Sequence, residues 1–240
     1  GSLALTNVTV NGGAFTVPSG LTMQLRGTTV AAPVLNEGLT WIVTNSAMFD
    51  SVTNAAGATL RIAATGESGS TSLSVANGFV NDGTIELSST VGAYNAELSI
   101  GSGVLTNASG GTISVLPGTG GSRTITGSVD NQGLLSMAPG AAVQLSMGGN
   151  LTSTGSIAMD IGGLVAGTQH DRLNVSGAIS LNGSLDVGLF NGFVPALGDG
   201  FTLLNGSAVT GQFSLATLAS PLFSLPTYTA STVVVYVPVP

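Results

Sequence analysis

The sequence contains no cysteine and no lysine, and only 6% of its 240 residues are charged. Without cysteine the chain has no disulfide framework to hold it together. The formal net charge is −7, and phosphate neutralisation by basic residues dominates nucleic-acid affinity, so binding to nucleic acid is not expected. No run reaches the roughly 18 apolar residues that a membrane-spanning helix needs. These absences argue against a disulfide-stabilised protein, a nucleic-acid-binding protein and a protein with a membrane-spanning helix.

Aromatic residues are also scarce, at 5%, but hydrophobic residues as a whole make up 43% of the chain and glycine contributes 36 residues. Disordered chains are poor in apolar residues, so this composition predicts a folded protein. No stretch shows the sustained period of 3.6 that an amphipathic helix requires. The sequence therefore predicts an all-β protein.

One template recurs through residues 73–189. Each copy has an apolar anchor, a second apolar residue four positions later, a glycine, and then two apolar residues that are two positions apart. The anchors are Val75, Ile100, Ile125, Met147 and Val175, and the second residues are Phe79, Val104, Val129, Leu151 and Ile179. The closing pairs are Ile85/Leu87, Ile113/Val115, Leu135/Met137, Ile157/Met159 and Leu185/Val187.

Apolar residues two positions apart indicate a strand with one buried face, and a fixed repeat of this length is typical of a solenoid. A sandwich also uses short strands but has no reason to repeat one template in register. We expect a right-handed parallel β-helix with coils of about 22–28 residues. Eight to ten coils stacked about 4.8 Å apart would form a rod roughly 40–50 Å long.

An asparagine precedes the glycine in five coils. These residues are Asn36, Asn54, Asn81, Asn107 and Asn131. Asparagine at one turn of every coil can form hydrogen bonds along the stack, as a ladder, or each can suit its own turn locally. The sequence leaves both explanations open.

The chain divides into three parts of one continuous domain. Residues 1–72 are degenerate solenoid coils, with Thr40 where an apolar residue is expected. Residues 73–189 are regular coils, and residues 190–240 are C-terminal coils and a cap. Large apolar residues predicted to close the end of the core are Phe213, Leu215, Leu218, Leu222, Phe223 and Leu225. The run Val233–Val237 is predicted to be an open strand edge, which invites edge-to-edge pairing.

Residues 166–177, 181–187, 195–204 and 209–213 resemble the C-terminal part of bacterial autotransporter-like β-solenoid repeat proteins. The closing Tyr236-Val-Pro-Val-Pro240 is similar to the lead-in of PEP-CTERM exported proteins. The resemblance covers about 75 residues well. It implies a bacterial protein that is extracellular or on the outer cell surface, and a role in adhesion or in a biofilm matrix.

No residue is predicted to be catalytic, although an enzyme is not excluded. His170, Asp171 and Arg172 lie together on an insert near Thr168, but adjacent strand residues point to opposite faces and sequence cannot show a triad's geometry. Arg123 occupies a position that is leucine in other coils, so it either disturbs the core edge or forms a salt bridge.

No cofactor is predicted; calcium bound by Asp82, Glu86 or Asp130 is one option, but no glycine-rich calcium nonapeptide occurs. Glycan binding uses exposed aromatic platforms, and Trp41 and Tyr94 are the candidate ligand-binding residues.

Two functions follow as expectations. The first is an exported, surface-displayed structural or adhesive module that contacts an extracellular glycan or another surface protein, with end-to-end self-association as an option. The second is a carbohydrate-binding module, or a polysaccharide-active β-helix of the lyase or hydrolase type, that acts on an extracellular glycan.

Overall fold

The computed structural model describes residues 1–137 and 139–240. Every regular element in this part of the chain is a strand. The first four coils each contribute three short strands: β1 (Ser2–Thr6), β2 (Thr9–Asn11), β3 (Phe15–Val17), β4 (Thr22–Arg26), β5 (Thr29–Ala31), β6 (Val34–Asn36), β7 (Leu39–Ile42), β8 (Ser46–Met48), β9 (Val52–Asn54), β10 (Thr59–Ala64), β11 (Thr71–Asn77) and β12 (Val80–Asn81).

The fifth and sixth coils contain β13 (Thr84–Ser89), β14 (Ala96–Asn107), β15 (Thr112–Val115) and β16 (Arg123–Asn131), of which β14 and β16 are longer strands that each pass through two faces. The remaining coils contain β17 (Leu134–Met137), β18 (Gln144–Met147), β19 (Leu151–Ser153), β20 (Ser156–Ile161), β21 (Arg172–Val175), β22 (Ala178–Leu181), β23 (Ser184–Leu189), β24 (Gly200–Asn205), β25 (Ala208–Gly211), β26 (Leu215–Leu218), β27 (Thr227–Tyr228) and β28 (Thr232–Tyr236).

These strands stack into three faces of a parallel β-solenoid, which confirms the predicted fold class. Face 1 is a ten-stranded parallel sheet in the order β1-β4-β7-β10-β13-β15-β17-β20-β23-β26. Face 2 runs β2-β5-β8-β11-β14-β16-β18-β21-β24, and face 3 runs β3-β6-β9-β12-β14-β16-β19-β22-β25. Ten strands at a spacing of about 4.8 Å give a rod about 45 Å long.

Coil length varies more than the repeat predicts. The face 1 strands that start at Thr22 and Leu39 pair in register 17 residues apart, whereas those at Ser184 and Leu215 pair 31 residues apart. Most of the difference is taken up in the loops at one corner, between faces 1 and 2. We call these the corner loops; they include residues 65–70, 90–95, 162–171 and 190–199. The links between faces 3 and 1 vary only from two to four residues, so the coil interior stays in register.

A single hydrophobic core runs through the whole stack, from Val17 to Val237. The predicted apolar pairs on face 1 are all buried, with exposures from 0% to 3%. Each such side chain packs on its counterparts in the coils before and after it, as stacked alternating strands require.

The asparagines form a continuous ladder along the corner between faces 3 and 1, so the ladder explanation is confirmed. The side-chain amide of each donates to the next: Asn36 to Asn54 (2.7 Å), Asn54 to Asn81 (2.6 Å), Asn81 to Asn107 (2.7 Å), Asn107 to Asn131 (2.8 Å) and Asn131 to the hydroxyl of Ser153 (3.1 Å). All are buried. Thr40, at an expected apolar position, donates to the oxygen of Asn36 at 2.9 Å and so satisfies the first member.

The template is wrong at one point in the fifth coil. Val104 is 44% exposed, and Leu105 takes the buried position instead. The reason is a register shift between Ser99 and Val104, where Gly103 adopts a φ of 76°. This irregularity also pairs Ile125 with Leu98 instead of with the anchor Ile100.

Val233–Val237 is not an open edge, contrary to the prediction. Strand β28 pairs antiparallel with β24 on one side and with β27 on the other, and Val233 and Val235 are fully buried. Phe201 and Phe223 are buried beneath this hairpin with their rings 5.8 Å apart. The antiparallel hairpin therefore closes face 2 at this end of the rod.

Among the predicted capping residues, Phe223 is buried but Leu215, Leu222 and Leu225 are exposed. Their expected place in the interior is occupied by Phe201 and by the valines of β28. Strands that follow the template continue as far as Leu218, so the stack itself extends well past residue 189.

Candidate functional site

The predicted ligand-binding residue Trp41 lines a groove of about 360 Å³ on the outside of the rod, which we call the Trp41 groove. Its lining comes from four successive coils and consists of Arg26, Trp41, Val43, Thr65, Gly66, Glu67, Thr90 and Val91. Arg26 and Trp41 belong to face 1, and the last five residues belong to two neighbouring corner loops. The groove thus lies where face 1 meets the corner, and it runs across the coils.

The indole of Trp41 stands on the outer side of face 1, in register with Gln24 and Arg61 on the adjacent strands. The side chain is half-buried, and its Nε1 is enclosed without a hydrogen-bond partner in the part of the chain that the structure describes. The exposed portion is therefore carbon surface. It offers an apolar contact instead of a hydrogen bond.

Charges in and beside the Trp41 groove are balanced. Arg26 donates from Nη2 to the side-chain oxygen of Gln24 at 3.1 Å, and Glu67 is exposed on the facing loop. Arg61, next to Trp41, forms a salt bridge with Glu86 of the following coil. The groove therefore presents one cationic donor and one anionic acceptor with no net charge.

Tyr94 lies outside the Trp41 groove. It is 39% exposed on the same corner loop as Val91, and a Cβ at Gly69 would be 3.8 Å from its ring. Its carbonyl accepts a hydrogen bond of 2.6 Å from the hydroxyl of Ser89. The two aromatic candidates thus occupy separate places, and each stays a prediction in its own right.

Sequence reasoning missed Arg26, Glu67 and the two loops that line the groove with Trp41. The available signal was that residues 65–67 and 90–91 occupy the same position in successive coils, since each segment directly follows a face 1 strand. This shared position can be recognised only once the coil boundaries are known.

The insert that carries the only histidine, residues 162–172, joins neighbouring coils through hydrogen bonds. Asp171 is fully buried and accepts backbone hydrogen bonds from Val143 and Asp160, both at 2.7 Å. It thereby ties together the corner loops of two coils. Thr168 is exposed and its hydroxyl contacts only the carbonyl of Val165, at 3.5 Å. Among the described residues, the insert does not bring a hydroxyl, an imidazole and a carboxylate together in the arrangement of a catalytic triad.

His170 is also buried, with its ring 5.5 Å from that of Phe201 in an edge-on contact. Nδ1 lies 3.0 Å from the carbonyl oxygen of Gly163, while Nε2 has no partner in hydrogen-bond geometry among the described residues. Burial lowers the pKa of His170, and the carbonyls of Gly163 and Thr202 oppose this change only in part. The side chain is thus a neutral part of the aromatic cluster under the hairpin.

Burial raises the pKa of Asp171 to about 7, because desolvation outweighs the two backbone donors that favour the ionised form. The ordinary pKa of an aspartate side chain is 3.8. The folded state therefore binds this proton more tightly than the unfolded chain does. The resulting stabilisation is complete below about pH 4 and is lost as the pH rises through 7.

Replacement of Asp171 by asparagine is expected to change how stability depends on pH. Asparagine cannot ionise, so the wild type should lose stability relative to Asp171→Asn as the pH rises from about 4 to 8. A constant offset is expected as well, because the amide can accept only one of the two backbone hydrogen bonds. Midpoints of thermal unfolding at several pH values measure the difference. His170 is present in both proteins and cancels, so a difference that stays constant with pH would contradict the assignment.

Arg123 is buried in the interior column of face 2, between Ala96 and Leu145. Its guanidinium reaches the carbonyl oxygens of Gly121 and Ser89, each at 3.3 Å. It makes no salt bridge within residues 1–137 and 139–240, and burial lowers its pKa. Of the two expectations, the structure supports a core-edge residue, held by backbone carbonyls.

Within residues 1–137 and 139–240, no group of three or more histidine, aspartate or glutamate side chains is placed to hold a metal ion. Asp130 accepts a hydrogen bond of 2.7 Å from Gln132, and Glu86 forms a salt bridge with Arg61. The described part of the chain also contains no helix of the length and apolarity needed to cross a lipid bilayer.

No protein-family model and no curated protein matches this chain. The Trp41 groove is the candidate site, because it combines an aromatic surface with polar groups that donate and polar groups that accept hydrogen bonds. The buried Asp171 and His170 have structural partners only.

Proposed function

We propose that the protein is an exported, surface-displayed structural or adhesive module of a bacterium. The observation that carries this proposal is the stack of nine complete coils and a tenth face 1 strand around one continuous core. Such a rod presents long faces and separates what is attached to it, instead of enclosing a pocket. The partners that we propose are an extracellular glycan or another surface protein.

One further feature supports a role outside the cell. The C-terminal segments resemble those of exported solenoid proteins. Self-association would have to avoid the β27–β28 hairpin, because its strands already pair with β24 and with each other.

Protease treatment of intact cells that produce the protein tests this location. We expect protease to remove the protein from intact cells, while a cytosolic marker stays intact. A protein that becomes sensitive only after lysis would contradict surface display. In cells that lack the gene, reduced attachment or reduced matrix would then separate an adhesive or structural role from none.

The second candidate function is carbohydrate binding, and the Trp41 groove is the specific observation that favours it. Ligand sites combine an apolar or aromatic surface with a few polar groups that fix orientation, and the groove has both. A rod that binds a glycan through this groove would also be an adhesive module, so the two candidates are compatible. No observation in the described residues favours lyase or hydrolase chemistry.

A further inference from the structure

We propose that the Trp41 groove binds an uncharged pyranose unit of an oligosaccharide, and not a uronate or a sulfated sugar. This inference rests on the carbohydrate-binding candidate and names its ligand class. It requires an apolar contact for the ring face of the sugar, and donors and acceptors for its hydroxyl groups. It also requires that no net charge select an ionic ligand.

The apolar contact is the exposed carbon surface of Trp41. The C–H groups on one face of a pyranose are weakly positive and pack on the electron-rich face of an aromatic ring. No arginine covers the indole in a cation–π contact among the described residues, since Arg61 is directed to Glu86. The indole is thus available to a neutral apolar face.

The polar groups are of both kinds. Sugar hydroxyls donate and accept at the same time, so they match a site that offers a carboxylate, a guanidinium and hydroxyls together. Glu67 is an acceptor and Arg26 a donor. The hydroxyl of Thr90 donates to the carbonyl of Ala64 at 3.3 Å and so offers its oxygen as a further acceptor, whereas the hydroxyl of Thr65 is engaged by Ser68. An anionic sugar would gain from Arg26 but would be repelled by Glu67, whereas an uncharged sugar can use both groups.

The size of the groove also fits. A volume of about 360 Å³ lies at the lower end of the range for small-molecule sites. The lining extends over four coils, which at about 4.8 Å between neighbours spans about 14 Å along the rod axis.

Trp41 is the only tryptophan, so its fluorescence reports on this groove alone. Titration uses uncharged oligosaccharides (cellohexaose, maltohexaose, xylohexaose, mannohexaose and chitohexaose) and anionic ones (oligogalacturonate and oligoalginate). We expect a saturable change in emission with at least one uncharged sugar and none with the anionic sugars. The Kd should not change between low and high salt, because no charged ligand is screened.

Calorimetry with the same sugar then tests the residues. Trp41→Ala should weaken binding at least tenfold, and Trp41→Phe should weaken it less. Phe49→Ala is the matched control, because Phe49 lies on the same coil, is 57% exposed and is outside the groove. If Trp41→Ala does not fold, Glu67→Gln and Arg26→Gln replace it, each with an expected severalfold loss.

Three results would overturn the inference, and they have different meanings. Binding of an anionic sugar that depends on Trp41 would keep carbohydrate binding but reject the uncharged class. Binding that survives Trp41→Ala, or both Glu67→Gln and Arg26→Gln, would place the site elsewhere. Absence of binding to every sugar would remove the carbohydrate-binding function as well, and would leave the structural proposal unaffected.

Discussion

Replacement of Asn107 by alanine is expected to destabilise the protein by about 2–4 kcal/mol. Asn107 is fully buried in the middle of the ladder, where it accepts from Asn81 and donates to Asn131 and to the carbonyls of Gly111 and Leu134. Alanine removes all four hydrogen bonds and leaves the oxygen of Asn131 buried without its donor. A buried polar group without a partner costs more than the average hydrogen bond contributes.

Asn77→Ala is the matched control. Asn77 lies in the preceding coil but is exposed, and it accepts a hydrogen bond of 3.0 Å from Ser102 at the surface. Its replacement should change stability by less than about 0.5 kcal/mol. Urea unfolding followed by far-UV circular dichroism measures both variants. Equal losses of stability for the two replacements would show that a buried asparagine of the ladder stabilises the protein no more than an exposed asparagine does.

Replacement of Gly133 by alanine is expected to destabilise the protein by about 3 kcal/mol. A Cβ at this position would overlap the carbonyl oxygens of Ala108 and Gly111 in the preceding coil. Both atoms are backbone, so neither can turn aside as a flexible side chain would. The coils would have to separate at the corner where the hydrogen bonds of the ladder hold them together.

Gly13→Ala is the corresponding control, because a Cβ there meets no atom within 4 Å and the backbone is not in the left-handed region. We expect a change of less than about 0.5 kcal/mol. Thermal unfolding midpoints compare the pair directly. If Gly133→Ala were as stable as the control, glycine at this position of the template would reflect turn preference and not close stacking.

Much of the fold could be predicted because the solenoid repeats one physical requirement in every coil. Ile113 and Val115 are buried for the same reason as Leu135 and Met137, so one alternation predicts face 1 throughout. The prediction was wrong at Val104, because the irregularity around Gly103 is a single event that the repeat does not encode. Local alternation of apolar and polar residues predicts a strand, but it does not predict where that strand bends.

The candidate site was less predictable than the fold. Trp41 could be selected from residue type alone, because the chain contains few aromatic residues that could form a binding platform. Its companions Glu67 and Thr90 come from loops whose position depends on the length of each coil. A groove between coils is a property of stacking, so it cannot be deduced from any one segment.

The asparagine ladder has a consequence for how the rod responds to force. It begins after Val17 and ends before Leu181, because these apolar residues occupy the same column in the first and eighth coils. The coils between them are joined by side-chain hydrogen bonds in addition to the backbone ladder. When the chain is pulled from either end, the coils outside the ladder should peel away at low force. The central coils should then resist, so that tension along the chain would lengthen the rod in steps before it unfolds completely.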